Sequence, residues 1–278
     1  MIRLIITDLD DTLYSWIGFF IPAFYNMVQE LSLIINVPDY ELLKEYKIIH
    51  QEVGSVEYPY ATLILPSVKR KYRGFTDEQV KIELNSAFHK FNSTRKKLLK
   101  LYPGVEDTLK YFNDNNIKVV AYTESAEENG FYRLKKLGID NYFKKVYVSD
   151  SLYRRSEAFP SSPKTHVVHG RKPNAALLKE ICYEEKVDIQ ETMYIGDSLS
   201  KDMLMAKQAG IISIWCDYPR SDIQDLYNKL VAISHWKNQD FQLEQRYKNE
   251  WKENGYSPDY IIHVFKECRE ILSQINGL

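Results

Sequence analysis

The stretch "RLIITDLDDTLYSW", residues 3–16, decides the fold. Leu4, Ile5, Ile6 and Leu9 around Thr7 and Asp8 read as a buried strand, yet three carboxylates, Asp8, Asp10 and Asp11, crowd its end. A buried strand gains nothing from acids, so these belong to whatever lies beyond it. In open parallel sheets that place is the ligand crevice at the carboxyl ends of the strands.

Outward from this strand, residues from about 21 to 99 read as helical. "FYNMVQELSLIINV" and "YELLKEYKIIHQEV" carry apolar residues at three- and four-residue spacing, with Pro38-Asp39 between them, and Thr76 stands as an N-cap before "DEQVKIELNSAFHKF". At "YPGVEDTLKYFNDNN" the pattern changes to alternation. The strand-like segments are "IKVVAYT", "KKVYVS", "TMYIG" and "IISIWC"; between them run the helix-like "FYRLKKLGI", "PNAALLKEICYEEK" and "KDMLMAKQAG". Such alternation implies an α/β fold with a Rossmann-like parallel sheet covered on both faces. The expected division is residues 1–16 and 101–278 for the sheet domain, with 17–100 as a small all-helical domain inserted after the first strand. Past Pro219 the pattern blurs, until "SPDYIIHVFKECREIL" suggests one more strand and a closing helix.

Composition narrows the functional classes. The 278 residues hold 37 basic and 38 acidic side chains, a net charge of −1, so no bulk field draws the chain to nucleic acid or an anionic membrane. The odd, scattered Cys182, Cys216 and Cys268 suit neither a disulfide framework nor a zinc cluster. No signal-peptide pattern opens the sequence, and no run approaches about 18 uninterrupted apolar residues. The expectation is a cytoplasmic protein without membrane or nucleic-acid partners; its oligomeric state is not encoded in any pattern.

Four strand ends or helix starts carry chemistry: Asp8 to Leu13, Thr123, Lys172-Pro173, and Gly196 to Asp202. Bringing Asp8, Asp10, Asp197 and Asp202 together concentrates negative charge, which is costly unless a cation joins them, and Mg2+ suits an all-oxygen set. Thr123 offers a hydroxyl and Lys172 a fixed positive charge, both suited to a phosphoryl group.

In order, "DLDDTL", "VVAYT", "RKP" and "GDSLSKD" resemble the four motifs of the haloacid dehalogenase-like hydrolase superfamily, in particular its phosphoglycolate phosphatase-like members. The resemblance implies a magnesium-dependent phosphomonoesterase acting on a small phosphorylated metabolite through an aspartyl-phosphate. Asp8 would be the nucleophile and Asp10 the acid and base. Asp8, the Asp10 carbonyl and Asp197 would hold Mg2+, with Asp202 supporting. Thr123, the amide near Glu124 and Lys172 would hold the phosphoryl group, and Thr12 would orient Asp10. The helical insertion would be a cap that selects the leaving group. A carboxylate at Asp10 favours a phosphatase or a sugar phosphomutase over a dehalogenase. From other classes, a phospho-accepting receiver module and an idle scaffold are the rivals; a receiver carries its phosphorylated Asp on a later strand.

Two departures from the family pattern stand out. Glu124 adds a negative charge after Thr123, and the connection from Ser149 to Gly170 is long, making Lys164 in "SSPKT" a rival to Lys172. Asp11 reads as a turn residue, and the basic runs at 69–73 and 95–100 as solvated helix faces. His166 and His169 read as exposed loop residues, and the arginines Arg154, Arg155 and Arg171 carry no assignment.

Overall fold

A computed structural model describes residues 1–58, 60–150, 162–219 and 223–277. The chain forms two compact units, one of Met1–Ser15, Lys100–Pro219 and Leu243–Leu278, the other of Trp16–Leu99 and Arg220–Gln242.

In the first unit seven strands form one parallel sheet: β1 (Leu4–Thr7), β2 (Lys118–Ala126), β3 (Lys145–Ser149), β4 (Thr165–Val168), β5 (Thr192–Gly196), β6 (Ile212–Cys216) and β7 (Tyr260–Ile262). Their order is β4-β3-β2-β1-β5-β6-β7. All four residues of β1 are buried, which explains the apolar run of Leu4, Ile5 and Ile6 that leads into Thr7. The chain builds outward from β1 to β4 on one side and from β5 to β7 on the other. The order therefore reverses at β1, and a crevice opens at its carboxyl end, where Asp8 follows.

Residues of like parity share a sheet face. Leu4, Ile6, Val120, Tyr122, Tyr147 and Tyr194 build one cluster with Leu178, Ile181, Met203 and Ala206 from the covering helices.

The helices in chain order are α1 (Trp16–Ile35), α2 (Asp39–Val53), α3 (Ala61–Ile64), α4 (Pro66–Lys71), α5 (Asp77–Glu83), α6 (Asn85–Leu98), α7 (Val105–Asp114), α8 (Glu127–Leu137), α9 (Ala175–Glu185), α10 (Leu204–Ala209), α11 (Ile223–Ile233), α12 (Asn238–Glu253) and α13 (Glu267–Asn276). The second unit holds α1 to α6, α11 and the start of α12. Its central helix α1 buries Phe20, Phe24, Val28 and Leu31 on one face and packs against α2, α6 and α11. By length and composition alone α1 could also cross a membrane, although half of the stretch is buried. Thr76 opens α5 with a full capping box, its hydroxyl accepting from the Gln79 amide and the Gln79 side chain accepting from the Thr76 amide.

Two elements differ from the sequence reading. The stretch from Ser149 to Gly170, read as a loop, contains the strand β4, which among the described residues is an edge strand paired with β3. Arg154 and Arg155 lie outside the described residues. Residues 220–242, assigned to the sheet domain, belong to the helical unit, where α2 side chains satisfy carbonyls at the end of α11 and just after it. Lys47 Nζ donates to the Val231 carbonyl at 3.2 Å, His50 Nδ1 to that of Ile233 at 2.7 Å, and Gln51 Nε2 to that of Trp236 at 3.1 Å.

Candidate active site

Beyond β1 the chain turns sharply. The Asp8 amide donates to the Ile195 carbonyl at 2.8 Å, extending the pairing with β5, while Asp11 adopts a left-handed φ of 58° and donates its amide to the Tyr14 carbonyl at 2.8 Å. Asp tolerates that backbone better than most residues, so Asp11 serves the turn and not the chemistry. The turn leaves the Asp8 and Asp10 side chains at the mouth of the sheet.

Beside them, the pairing of β2 with β3 shifts register between Tyr122 and Ala126, freeing Thr123, Glu124 and Ser125 from a regular ladder. Thr123 is buried, and its hydroxyl accepts from the Ser125 amide at 3.0 Å. From the other side, β5 ends at Gly196. The chain then winds through Leu199–Met203 as a wide helical turn, with the Met203 amide donating to the Ser198 carbonyl at 3.0 Å, which presents Lys201 and Asp202.

Lys172 joins these segments. Its Nζ donates to Asp8 Oδ1 at 2.5 Å and to Asp202 Oδ1 at 2.8 Å, and it lies 5.1 Å and 5.7 Å from the ring centres of Tyr122 and Tyr194. Asp202 is held from three sides: its Oδ1 also accepts from the Tyr194 hydroxyl at 2.8 Å, and its Oδ2 from the Ser198 amide at 3.1 Å. Carboxylate oxygens of Asp8, Asp197 and Asp202 lie within 4.8 Å of one another. Burial pushes the Asp8 carboxyl well above its usual range; Lys172 opposes this, and the charges of Asp202 and Asp197 add to it. Burial also works against the charged form of Lys172, but Asp202 and Asp8 outweigh it and hold the ammonium well above its usual range. One ammonium thus faces three clustered carboxylates, an all-oxygen set fitted to a small divalent cation.

Asp10 stands apart from that cluster. Ser125 Oγ donates to its Oδ2 at 2.6 Å, and Arg133 Nη1, from α8, reaches Oδ1 at 2.9 Å and Oδ2 at 3.2 Å. The fully buried Tyr14 belongs to the same group; burial and then the Asp10 charge raise its phenol well above the usual range and keep it protonated. Thr12, expected to orient Asp10, points its hydroxyl into a buried position without a hydrogen-bond partner among the described residues. The residues holding Asp10 are Ser125 and Arg133.

The extra charge of Glu124 is answered by Lys201, whose Nζ donates to its Oε2 at 2.7 Å; Oε1 accepts from the Lys172 amide at 3.3 Å. The rival Lys164 donates to the Asp140 carbonyl at 2.8 Å and does not join the cluster. His166 lies 3.6 Å from Glu184, and His169 is exposed. Pro173, expected in the first helical turn, precedes α9, which begins at Ala175 with the Asn174 side chain accepting from the Leu177 amide at 3.0 Å.

Arg133, Ser125, Lys201 and Tyr194 were missed by sequence reasoning. Lys201 adjoins Asp202 inside a motif, and Ser125 lies two residues past Thr123. Arg133 shares the buried face of α8 with Gly130 and Leu134, a spacing visible in "FYRLKKLGI" but indistinguishable there from a solvated arginine.

Known proteins resemble this chain in sequence and in fold. A glyceraldehyde 3-phosphate phosphatase from Methanopyrus kandleri is 26% identical over 217 residues, covering 77% of this chain and 83% of that protein. A phosphoglycolate phosphatase from Pseudomonas fluorescens is 27% identical over 118 residues, 42% of this chain and 37% of that protein. Among solved structures, the 2-haloacid dehalogenase from Pseudomonas syringae pv. Tomato superposes with a TM-score of 0.57 at 21% identity, covering 99% of this chain and 100% of that one, a likeness of fold. The sequence model described as haloacid dehalogenase-like hydrolase matches residues 5–216, and with the four motifs meeting at one sheet end, the chain belongs to that family.

Proposed function

We propose that this protein is a magnesium-dependent phosphomonoesterase that acts on a small phosphorylated metabolite through an aspartyl-phosphate. The observation that carries the reading is the Lys172 bridge between Asp8 and Asp202 beside Asp197, with Asp10 held separately. A nucleophile and an acid/base group only two residues apart are thereby kept distinct. The phosphatases among the relatives support the same class of substrate.

Asp8, the Asp10 carbonyl and Asp197 would hold the magnesium ion, which supplies charge neutralisation for the phosphoryl group. In the first step an Asp8 oxygen bonds to phosphorus as the bond from phosphorus to the leaving oxygen breaks, and that oxygen takes a proton from Asp10. In the second, water attacks phosphorus and yields its proton to Asp10; the bond to Asp8 breaks, releasing phosphate. Lys172 balances the phosphoryl charge, and Thr123 with the amides near Leu9, Asp10 and Glu124 binds its oxygens. Asp202, itself held by Tyr194 and Ser198, anchors Lys172. Selection of the leaving group falls to the helical unit inserted after β1, as a cap.

The test is phosphate release from glyceraldehyde 3-phosphate, phosphoglycolate, sugar phosphates, nucleoside monophosphates and an aryl phosphate, with and without magnesium, using Asp8→Asn as the blank. Magnesium-dependent release that the substitution abolishes is expected. No release from any substrate, or undiminished release by Asp8→Asn, refutes the reading.

A further inference from the structure

We propose that Arg133 is the positioning residue for Asp10, aiming that carboxyl, together with Ser125, toward the leaving-group oxygen and away from the Asp8–Asp197–Asp202 cluster. The inference rests on the phosphomonoesterase reading above.

Asp10 lies two residues from Asp8, and an unrestrained carboxylate there is free to turn toward any cation held by the acids. It does not join them: the three clustered carboxylates are those of Asp8, Asp197 and Asp202. What turns Asp10 away is a buried guanidinium nitrogen. The Arg133 side chain is 4% exposed, and burying a guanidinium is costly unless it is paired and hydrogen-bonded. Its Nη1 spans both Asp10 oxygens and also donates to Ser125 Oγ at 2.9 Å, while Ser125 passes its own hydroxyl proton toward Asp10 Oδ2. Two anchors on separate elements, Ser125 on β2 and Arg133 on α8, fix the carboxyl plane as well as its position. Lys135 and Lys136 show that α8 also offers exposed positions to basic residues, so the inward placement of Arg133 is a feature of this site.

Proton delivery matters most when the leaving oxygen is a poor leaving group. An alkyl phosphate needs the Asp10 proton as its bond to phosphorus breaks, whereas 4-nitrophenyl phosphate releases a stable phenolate without it. The experiment compares kcat/KM, which covers steps only through phosphoryl transfer to Asp8, for an alkyl phosphate and for 4-nitrophenyl phosphate. In Arg133→Gln the alkyl-to-aryl ratio is expected to fall by at least ~10-fold, within the range that positioned acids contribute. Arg133→Lys, which keeps the charge but loses the planar guanidinium and its reach, should fall between.

A purely structural role lowers both substrates together; an unchanged ratio overturns the inference. Should Arg133→Gln fail to fold, Arg133→Lys and Ser125→Ala carry the same comparison, and an unchanged ratio in both overturns it equally. The two readings fail differently. Wild-type protein inactive on both esters ends the phosphatase reading and this inference together, whereas active wild type with an unchanged ratio ends this one alone.

Discussion

Gly196→Ala tests whether Asp202 holds the site together. A Cβ at residue 196 would lie 2.5 Å from Cγ, 2.6 Å from Cβ and 2.7 Å from Oδ2 of Asp202. Carbon atoms rest at roughly 3.5–4.0 Å, so one side must yield by about 1 Å. Asp202 is a short, buried side chain tied by Lys172, Tyr194 and Ser198, and it cannot swing aside without loosening those bonds. Overpacking of this kind costs ~1–3 kcal/mol. Each hydrogen bond to a charged group that loosens adds ~1.5–3 kcal/mol, so a loss of several kcal/mol is expected. Lys172 would move with Asp202, and a misplacement of this size costs ~100-fold in turnover. Urea denaturation reads the first effect and magnesium-dependent phosphate release the second. Gly130→Ala is the control: its Cβ would meet Ser125 and Thr123 at 3.4 Å and Leu9 at 3.7 Å, ordinary contact. Inside α8 that change should be neutral or gain up to ~1 kcal/mol from helix propensity. Gly196→Ala with wild-type stability and turnover, or Gly130→Ala as damaged as Gly196→Ala, would falsify the steric argument.

Other expectations follow from single observations. Burial pulls His50 down to about 4, with the Ile233 carbonyl opposing and His235 adding, so the fold requires its neutral form. The unfolded chain takes up the proton near pH 6.5, hence this contribution is full above about pH 6.5 and is lost as pH falls toward 4, amounting to ~3 kcal/mol. Urea midpoints from pH 7.5 to 4.5 should drop more steeply in wild type than in His50→Gln; parallel curves would contradict the assignment. Magnesium should raise the thermal midpoint of the wild-type protein by a few degrees, and Asp197→Asn should lose most of that rise; an equal rise would place the ion elsewhere. Lys164→Ala should keep phosphate release within about twofold, since the Lys164 ammonium donates to the Asp140 carbonyl and lies outside the acid cluster among the described residues, whereas Lys172→Ala should abolish it. Comparable losses in the two variants would reverse their roles.

The sheet and the motif residues were legible because their signals are local. A buried strand must be apolar, so acids at its end stand out, and helix–strand alternation leaves parallel pairing as the consistent topology. The α5 capping box needs only Thr76 and Gln79, three residues apart. β4 was hidden because a four-residue edge strand with one partner carries little hydrophobic pattern. The allegiance of residues 220–242 was hidden because it rests on α2 side chains meeting carbonyls in and just after α11, some 180 residues away in sequence.

The sequence by itself determined the family, the paired acids Asp8 and Asp10 at the end of β1, and the oxygen-rich side chains of the later motifs, since each depends on residue type at short spacing. Tertiary structure decided how the charges are shared. It set Lys172 between Asp8 and Asp202, answered Glu124 with Lys201, and turned Asp10 to Ser125 and Arg133 in place of Thr12. These pairings join residues up to 164 positions apart, and which buried charge meets which is settled by where the packed elements put them.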